Sequence, residues 1–525
     1  MKRKNNKKSL YAIIAAVVLV IVAGIAWLIT SNSSSKSQSA EKSSVTYAFG
    51  GEPVSVNPIN SNDLWGLKTI NMIYSPLLRT ANDGTITYEL ATSVEQSEDG
   101  KTITVDLRDD VLWSDGEPFT ADDVVFTYTQ KAKKENGKYE SLWVGDKAVE
   151  VEKIDDHTVQ FNVPEPSAAA LNNLSNETYI IPEHIYSDTE DLSINDLGKY
   201  PTVGTGPYVL EDFTSDGTLT LTANPNYYGG DVKVDTVNAR IISNSDTLKV
   251  ALQNGEVDLA SIESDFIDDL EGSDTSTVTY SSGAIDYLGI NSEIITDQRI
   301  RQAIFYALDR QELNTAGYLS EDYYLNAYSF LPSDNAYFYK DTEDYAQNIE
   351  KEKQLLEDSG AKDLTFTLAY DSSDDQYVKY AAVIQEQLAQ IGIKVTLEGG
   401  DAETILAELK TEGTKKYALF ICGYSMGNDP DTYKRLFQTG GASNYFKLAS
   451  DKIDGLFTSG ATQLDKDARQ KVYDDLQVSL AEEAVIYPIT SSNSVFAVNN
   501  RVSGIEADNL YPIYTIGDWS VITAE

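Results

Sequence analysis

The chain has 525 residues, 41% of them hydrophobic and 10% aromatic, which exceeds the length at which one core keeps growing, so two or three domains are expected. Its formal net charge of -41 argues against nucleic acid or an anionic membrane surface as a partner, since both would repel it. The single cysteine, Cys422, excludes an intrachain disulfide and a cysteine-based metal site, which leaves packing to hold the fold.

Residues 1–10 form a basic segment carrying Lys2, Arg3, Lys4, Lys7 and Lys8, followed by an uncharged apolar run from Tyr11 to Ile29. At about 1.5 Å per residue this run nearly spans a hydrocarbon core of roughly 30 Å. The positive flank stays inside, so residues 11–30 read as a transmembrane anchor with the rest of the chain exported; the alternative is a signal segment that is cleaved. Ile25 follows Val22-Ala23-Gly24 where a lipidation cysteine would stand, which excludes lipid attachment there. Residues 31–45, rich in Ser, Lys and Asn, read as a flexible linker.

In Thr102–Leu107 a period of two puts Ile103, Val105 and Leu107 on one buried strand face. A short apolar segment, Val111-Leu112-Trp113, then stops at Ser114-Asp115-Gly116, a turn by its composition. Thr120 reads as a helix cap, with Asp123 three residues on as in a capping box and Val124, Val125, Phe126 and Tyr128 supplying the apolar side. Further on, helices are expected over 344–358, stopped by Gly360, and over 376–390, stopped by Gly392. Each leads into a strand, Leu364–Leu368 and Ile393–Leu397, so the C-terminal half should hold an α/β lobe. The class is α/β in the mixed α+β sense, and no internal repeat is evident.

Gly423-Tyr424-Ser425-Met426-Gly427 matches the G-x-S-x-G nucleophile elbow, between a strand expected at Tyr417–Cys422 and a helix start at Asp429-Pro430. A hydrolase of that kind needs its histidine after the serine, and the two histidines, His157 and His184, both precede Ser425. Neither histidine belongs to a spaced ligand set, although His157 follows Asp155-Asp156 and His184 follows Glu183. No phosphate loop or redox motif is present, so the reading is a non-enzyme without cofactor or metal.

Residue identity adds more. SEDGKTITVDLRDDVLWSDGEPFTADDVVFTY, Ser97 to Tyr128, resembles the signature of the family 5 extracellular solute-binding proteins, the oligopeptide-, dipeptide- and nickel-binding receptors of ABC importers. The resemblance continues in order at Gly204-Thr205-Gly206-Pro207-Tyr208, Asn224–Gly230, Arg299–Ala303, Ala307–Arg310, Leu355–Gly360, Gln387–Val395 and Asn428-Asp429-Pro430. It implies a two-lobe, type II periplasmic-binding-protein-like fold: lobe one from 46–80, 202–285 and 490–525, an inserted domain from 81–201, and lobe two from 286–489.

It also implies a peptide ligand, ABC permease subunits as partners, a monomer, and a place on the outer face of the bacterial cytoplasmic membrane. By the same analogy the cleft is lined by Asn60, Asn62, Asp63 and Trp65, by Tyr424, Ser425, Met426, Gly427, Asn428 and Asp429, and by Asn444 and Tyr445. In peptide-binding relatives an acidic residue four positions before the motif's proline pairs with the ligand's amino group; here that position is Met426, and Asp429 or Asp431 is left to compensate. Asp429 reads equally well as the cap of the following helix. A receptor for an oligosaccharide or a metal chelate, built on stacking aromatics such as Trp65, is the alternative, and a surface sensor that delivers no cargo is another.

Overall fold

The structure is a computed structural model describing residues 43–525 except 62, 82–84, 138–139, 176–177, 190, 194–201, 214–216, 319 and 514. The basic segment, the apolar run and nearly all of the linker lie outside the described residues, among which no helix is long and apolar enough to cross a membrane. The first elements that matter for the site are β1 (Ser44–Phe49), α1 (Leu64–Ile73), β2 (Ala91–Gln96), β3 (Thr102–Leu107), α2 (Ala121–Lys131), β4 (Glu150–Asp155) and β5 (Thr158–Asn162). β6 (Tyr208–Phe213), β7 (Thr218–Ala223), β8 (Thr236–Ile241), β9 (Leu259–Ile262) and the long β10 (Thr275–Ile290) follow. Then come β11 (Tyr324–Asn326), α3 (Ile349–Ser359), β12 (Thr365–Asp371), α4 (Asp375–Gln390), β13 (Lys394–Gly400), β14 (Leu419–Ser425), α5 (Lys466–Glu483) and β15 (Ile486–Asn499).

The alternating run is β3 over its whole length, with Ile103, Val105 and Leu107 buried, in a four-stranded antiparallel sheet ordered β2-β3-β5-β4. Val111–Trp113 is a loop whose Leu112 bridges Pro118, and Gly116 turns it at φ 95°. Thr120 caps α2: its hydroxyl accepts the Asp122 N–H at 3.3 Å, and Asp123 accepts the Thr120 N–H at 2.9 Å. Asp123 also accepts from the buried Trp113 indole at 3.3 Å and from the Glu183 N–H at 2.8 Å, so the cap pins three segments together. Thr120→Ala is expected to cost about 1 kcal/mol of stability, read as a lower urea midpoint at unchanged slope.

α3 begins at Ile349 rather than near 344, capped by Asn348, and ends where Gly360 adopts φ 68°. The later start has a tertiary cause: Tyr345 is drawn into the core against Phe305 and Tyr306, and Arg310 bonds the Asp344 carbonyl, which holds that segment out of helix. α4 and the strands β12 and β13 stand where periodicity puts them, within a few residues.

One eleven-stranded sheet runs β6-β7-β8-β1-β9-β15-β10-β14-β12-β13, with β11 beside β15. β1 pairs in parallel with β8 and β9, and β12 with β13 and β14, while the long β10 and β15 are antiparallel to each other. The mixture fits hairpins joined to βα crossovers. Buried side chains gather into separate cores, and β10 and β15 pass between them: Tyr280 and Phe496 pack on β1, whereas Leu288 and Tyr487 pack beneath α4. Midway the β10–β15 ladder slips between Ser281 and Ile285, with Gly283 at φ 63°. Tyr179, Ile181, Tyr186 and Leu192 pack with the β1 core, although the expected domain limits assign them to the insertion.

Candidate ligand-binding cleft

Two cavities open where β10 and β15 cross between the cores, and Ile513 lines both. The first, about 450 Å3, is walled by Arg79, Gly283, Pro332, Ser425–Asn428 and Pro512. The second, about 550 Å3, is walled by Trp65, Lys68, Ser261, Asp286, Tyr318 and Gln376. Ile513 and Thr515 both hold φ 67°. For β-branched residues that is strained by on the order of 1–3 kcal/mol each, the kind of cost found at ligand clamps.

In the first cavity the exposed Ser425 ends β14, paired with Ala284. Asn428 donates to the Thr80 carbonyl and accepts from Asn335 at 2.8 Å, so the loop after β14 is tied to two walls. Tyr424 spends its hydroxyl on the Phe330 carbonyl at 2.6 Å and packs its ring on Tyr287 and Tyr433. Asp429 does not reach the cavity. It is buried in a two-bonded ion pair with Arg469, both distances 2.7 Å, while its side chain caps the turn Pro430–Tyr433 through the Asp431 N–H.

In the second cavity Trp65 stacks obliquely on Phe49 at 5.3 Å, and its ring lies 4.9 Å from the Lys68 ammonium. Lys68 is 4% exposed, its Nζ 3.4 Å from the Ser261 hydroxyl. Burial lowers its pKa to about 8, and among the described residues it forms no ion pair with a carboxylate. Asp286 accepts from the Tyr377 hydroxyl at 2.9 Å and from the Gln376 amide at 3.2 Å. Burial pushes its carboxyl up to about 6, those two bonds pull it down, and Asp374 pushes it up further. Asp286 stands opposite Gly423 in the β10–β14 ladder, where a Cβ would collide with its carboxylate and with the Tyr377 hydroxyl.

Residues 85–445 match the family model of the bacterial extracellular solute-binding proteins, family 5. The chain belongs to that family. It is 25% identical to the oligopeptide-binding protein AppA of Bacillus subtilis, over 99% of each chain. It is 32% identical to the ABC transporter substrate-binding protein CtaP of Listeria monocytogenes, whose crystal structure superposes with a TM-score of 0.88 over 92% of this chain and 99% of that one. A putative peptide-binding protein AppA from Clostridium difficile is 28% identical with a TM-score of 0.83, over 92% and 100%.

The fold of this solute-binding protein redistributes the residues singled out from sequence. Ser425, Met426, Gly427 and Asn428 line the first cavity and Trp65 the second. Asp63 is the cap of α1, accepting the Gly66 N–H at 2.7 Å, and Asn60 is buried with its amide on the Leu192 carbonyl. Asn62 lies outside the described residues. Asn444 and Tyr445 line neither cavity: Asn444 closes its own loop by bonds to Gln438 and Leu448, and Tyr445 packs into the core.

For the elbow reading, Ser425 is the last residue of β14, and neither histidine lines either cavity with it. His184 instead bonds Asp115 at 2.8 Å. Sequence reasoning passed over Lys68 and Asp286. Their signal was a charge in an apolar stretch: Lys68 alone in LWGLKTINMI, and Asp286 within Ile285–Ile290.

Proposed function

We propose that this solute-binding protein is the receptor of an ABC importer, which captures peptides in the cleft and delivers them to the permease. The observation that carries the reading is the pair of cavities set between the core on β1 and the core beneath α4, which β10 and β15 join among the described strands of the large sheet. Such a crossing can act as a hinge. The ladder is irregular at Ser281–Ile285 and again at Asp286–Tyr287, where the regular pairing is interrupted, and closing on a ligand then depends on tighter contact in the closed form. The lobes are taken as 46–80, 202–285 and 490–525 against 286–489, with 81–201 inserted. The peptide-binding names of the relatives support the substrate class, and the exposed strand end at Ser425 offers main-chain groups to an extended peptide.

A monomer held by its N-terminal segment outside the membrane completes the proposal, with secretion after cleavage as the alternative. The test is thermal unfolding of the full chain in detergent with a protein hydrolysate. A rise in Tm is expected, since a ligand at 100 times its Kd contributes about 2.7 kcal/mol. No shift with any peptide pool would remove peptides as the substrate.

A further inference from the structure

Away from both cavities, the segment taken as the inserted domain meets the segment taken as lobe two at a small corner. On the first side stands the turn 97–100 between β2 and β3, in which Asp99 accepts from the Ser97 hydroxyl at 2.7 Å and from the Lys101 N–H at 3.1 Å. Gly100 closes the turn at φ 68°, and the Leu464 side chain rests so near that a Cβ on Gly100 would meet it at 2.7 Å. Ser167 and Ala168 run beside this turn, tied to β2 by the Gln96 amide on the Ser167 carbonyl at 3.1 Å. The Ala168 N–H then donates to the Ala461 carbonyl at 2.8 Å. Ala461 lies in the last turn of the helix Asp451–Thr462, where carbonyls lack a partner within the helix, so the bond caps that end from outside.

The same helix end is tied to the first cavity. Arg469 donates to the Gly460 carbonyl, next to Ala461, and holds Asp429, whose preceding residues Met426, Gly427 and Asn428 wall the cavity. We propose that the inserted domain is a closure clasp: Gly100 and Ala168 seat on Leu464 and Ala461 as the lobes close, which sets the affinity for every solute alike. The assignment rests on the closing-receptor reading and gives the inserted domain a role in it. A backbone bond and a half-buried leucine form the contact, so parting returns an amide and a carbonyl to water and strands no buried charge. Such a contact can be made and broken at every cycle. None of the four residues lines a cavity, so the clasp reads nothing of the solute and its free energy counts in the closed form alone.

Hydrogen exchange of the full-length protein in detergent, with and without a casein hydrolysate, tests this at the Ala168 amide. Slower exchange with hydrolysate is expected, because the donor is engaged when the lobes are closed. Leu464→Ser, which removes the half-buried apolar contact, should lower retention of hydrolysate peptides in equilibrium dialysis by about tenfold. The set of retained peptides should stay the same, and so should the urea midpoint of the empty protein. A residue that touched solute would change the set, and one that only held the fold would move the midpoint. If the unaltered protein retains peptides while its Ala168 amide exchanges equally with and without them, the clasp is overturned and the receptor reading stands; full retention by Leu464→Ser would overturn it in the same way. Retention of no peptide by the unaltered protein would overturn both. The exchange measurement needs no variant, so its outcome does not depend on how a substitution folds.

Discussion

Arg469→Met is expected to lower the unfolding free energy by about 3–5 kcal/mol, because it strands Asp429 as a buried charge without its partner. Both side chains are nearly closed off, at 4% and 6% exposure. The guanidinium on α5 also donates to the Gly460 carbonyl at 2.8 Å and to the Tyr337 and Tyr473 hydroxyls at 2.9 and 3.1 Å. These bonds fix Asp429, and through it the loop whose preceding residues, Met426–Asn428, wall the first cavity. Removing both charges at once, as Arg469→Met with Asp429→Leu, should recover part of the loss, since no unpaired charge then remains. Urea unfolding of the single and double variants checks this. A single variant that unfolds at the unaltered midpoint would mean that the pair does not hold the loop.

Solute affinity is expected to be greatest between about pH 6 and pH 8, the values to which burial brings Asp286 and Lys68. Below 6 the Asp286 carboxyl is protonated and no longer presents a negative charge to a solute in the cavity, so affinity for a cationic group falls by up to about tenfold per pH unit. Above 8 Lys68 loses its charge, and the ligand's own amino group, ordinarily near 8, titrates in the same range. Asp374, the cap of α4, with Gln376 and Tyr377 of α4, Tyr318 and the Gly423 backbone, faces Asp286; Tyr47, Trp65 and Ser261 lie about Lys68, and Glu263 lines the same cavity.

Stability of the empty protein follows the opposite sign. The folded state holds the Asp286 proton more tightly than the unfolded chain, so this group's contribution declines as pH rises from its ordinary 3.8 to about 6. The folded state releases the Lys68 proton more readily, so its contribution grows from about pH 8 to its ordinary 10.5. Around neutrality both charges therefore weaken the empty fold. Calorimetric titration across the acid limb decides the matter: Asp286→Asn should flatten it, and an unaltered protein whose affinity stays constant to about one unit below pH 6 would show that the Asp286 charge takes no part in binding.

Some of this was legible in the chain. β3 and the Thr120 cap depend on a period of two and on a hydroxyl beside a free amide, which act within a few residues. Gly360 and Gly392 end their helices for an equally local reason, a left-handed conformation that glycine adopts without strain. The start of α3 was not legible, because distant aromatic partners in the core override its local preference.

The site shows the same division more sharply. Asn60, Asp63, Asp429 and Asn444 are polar side chains in loops, and such residues look alike in sequence whether they meet a ligand or the protein's own backbone. The fold supplies those partners, Leu192 to Asn60 and Arg469 to Asp429, from remote positions. By itself the sequence determined the mixed α/β class, the family and most local elements, since side-chain identity and short-range periodicity suffice for these. Only the tertiary structure decided that Lys68 and Asp286 share a cavity while Asn444 and Tyr445 do not. That outcome rests on the order and register of one eleven-stranded sheet, and a sheet joins strands by long-range pairing that no short stretch encodes.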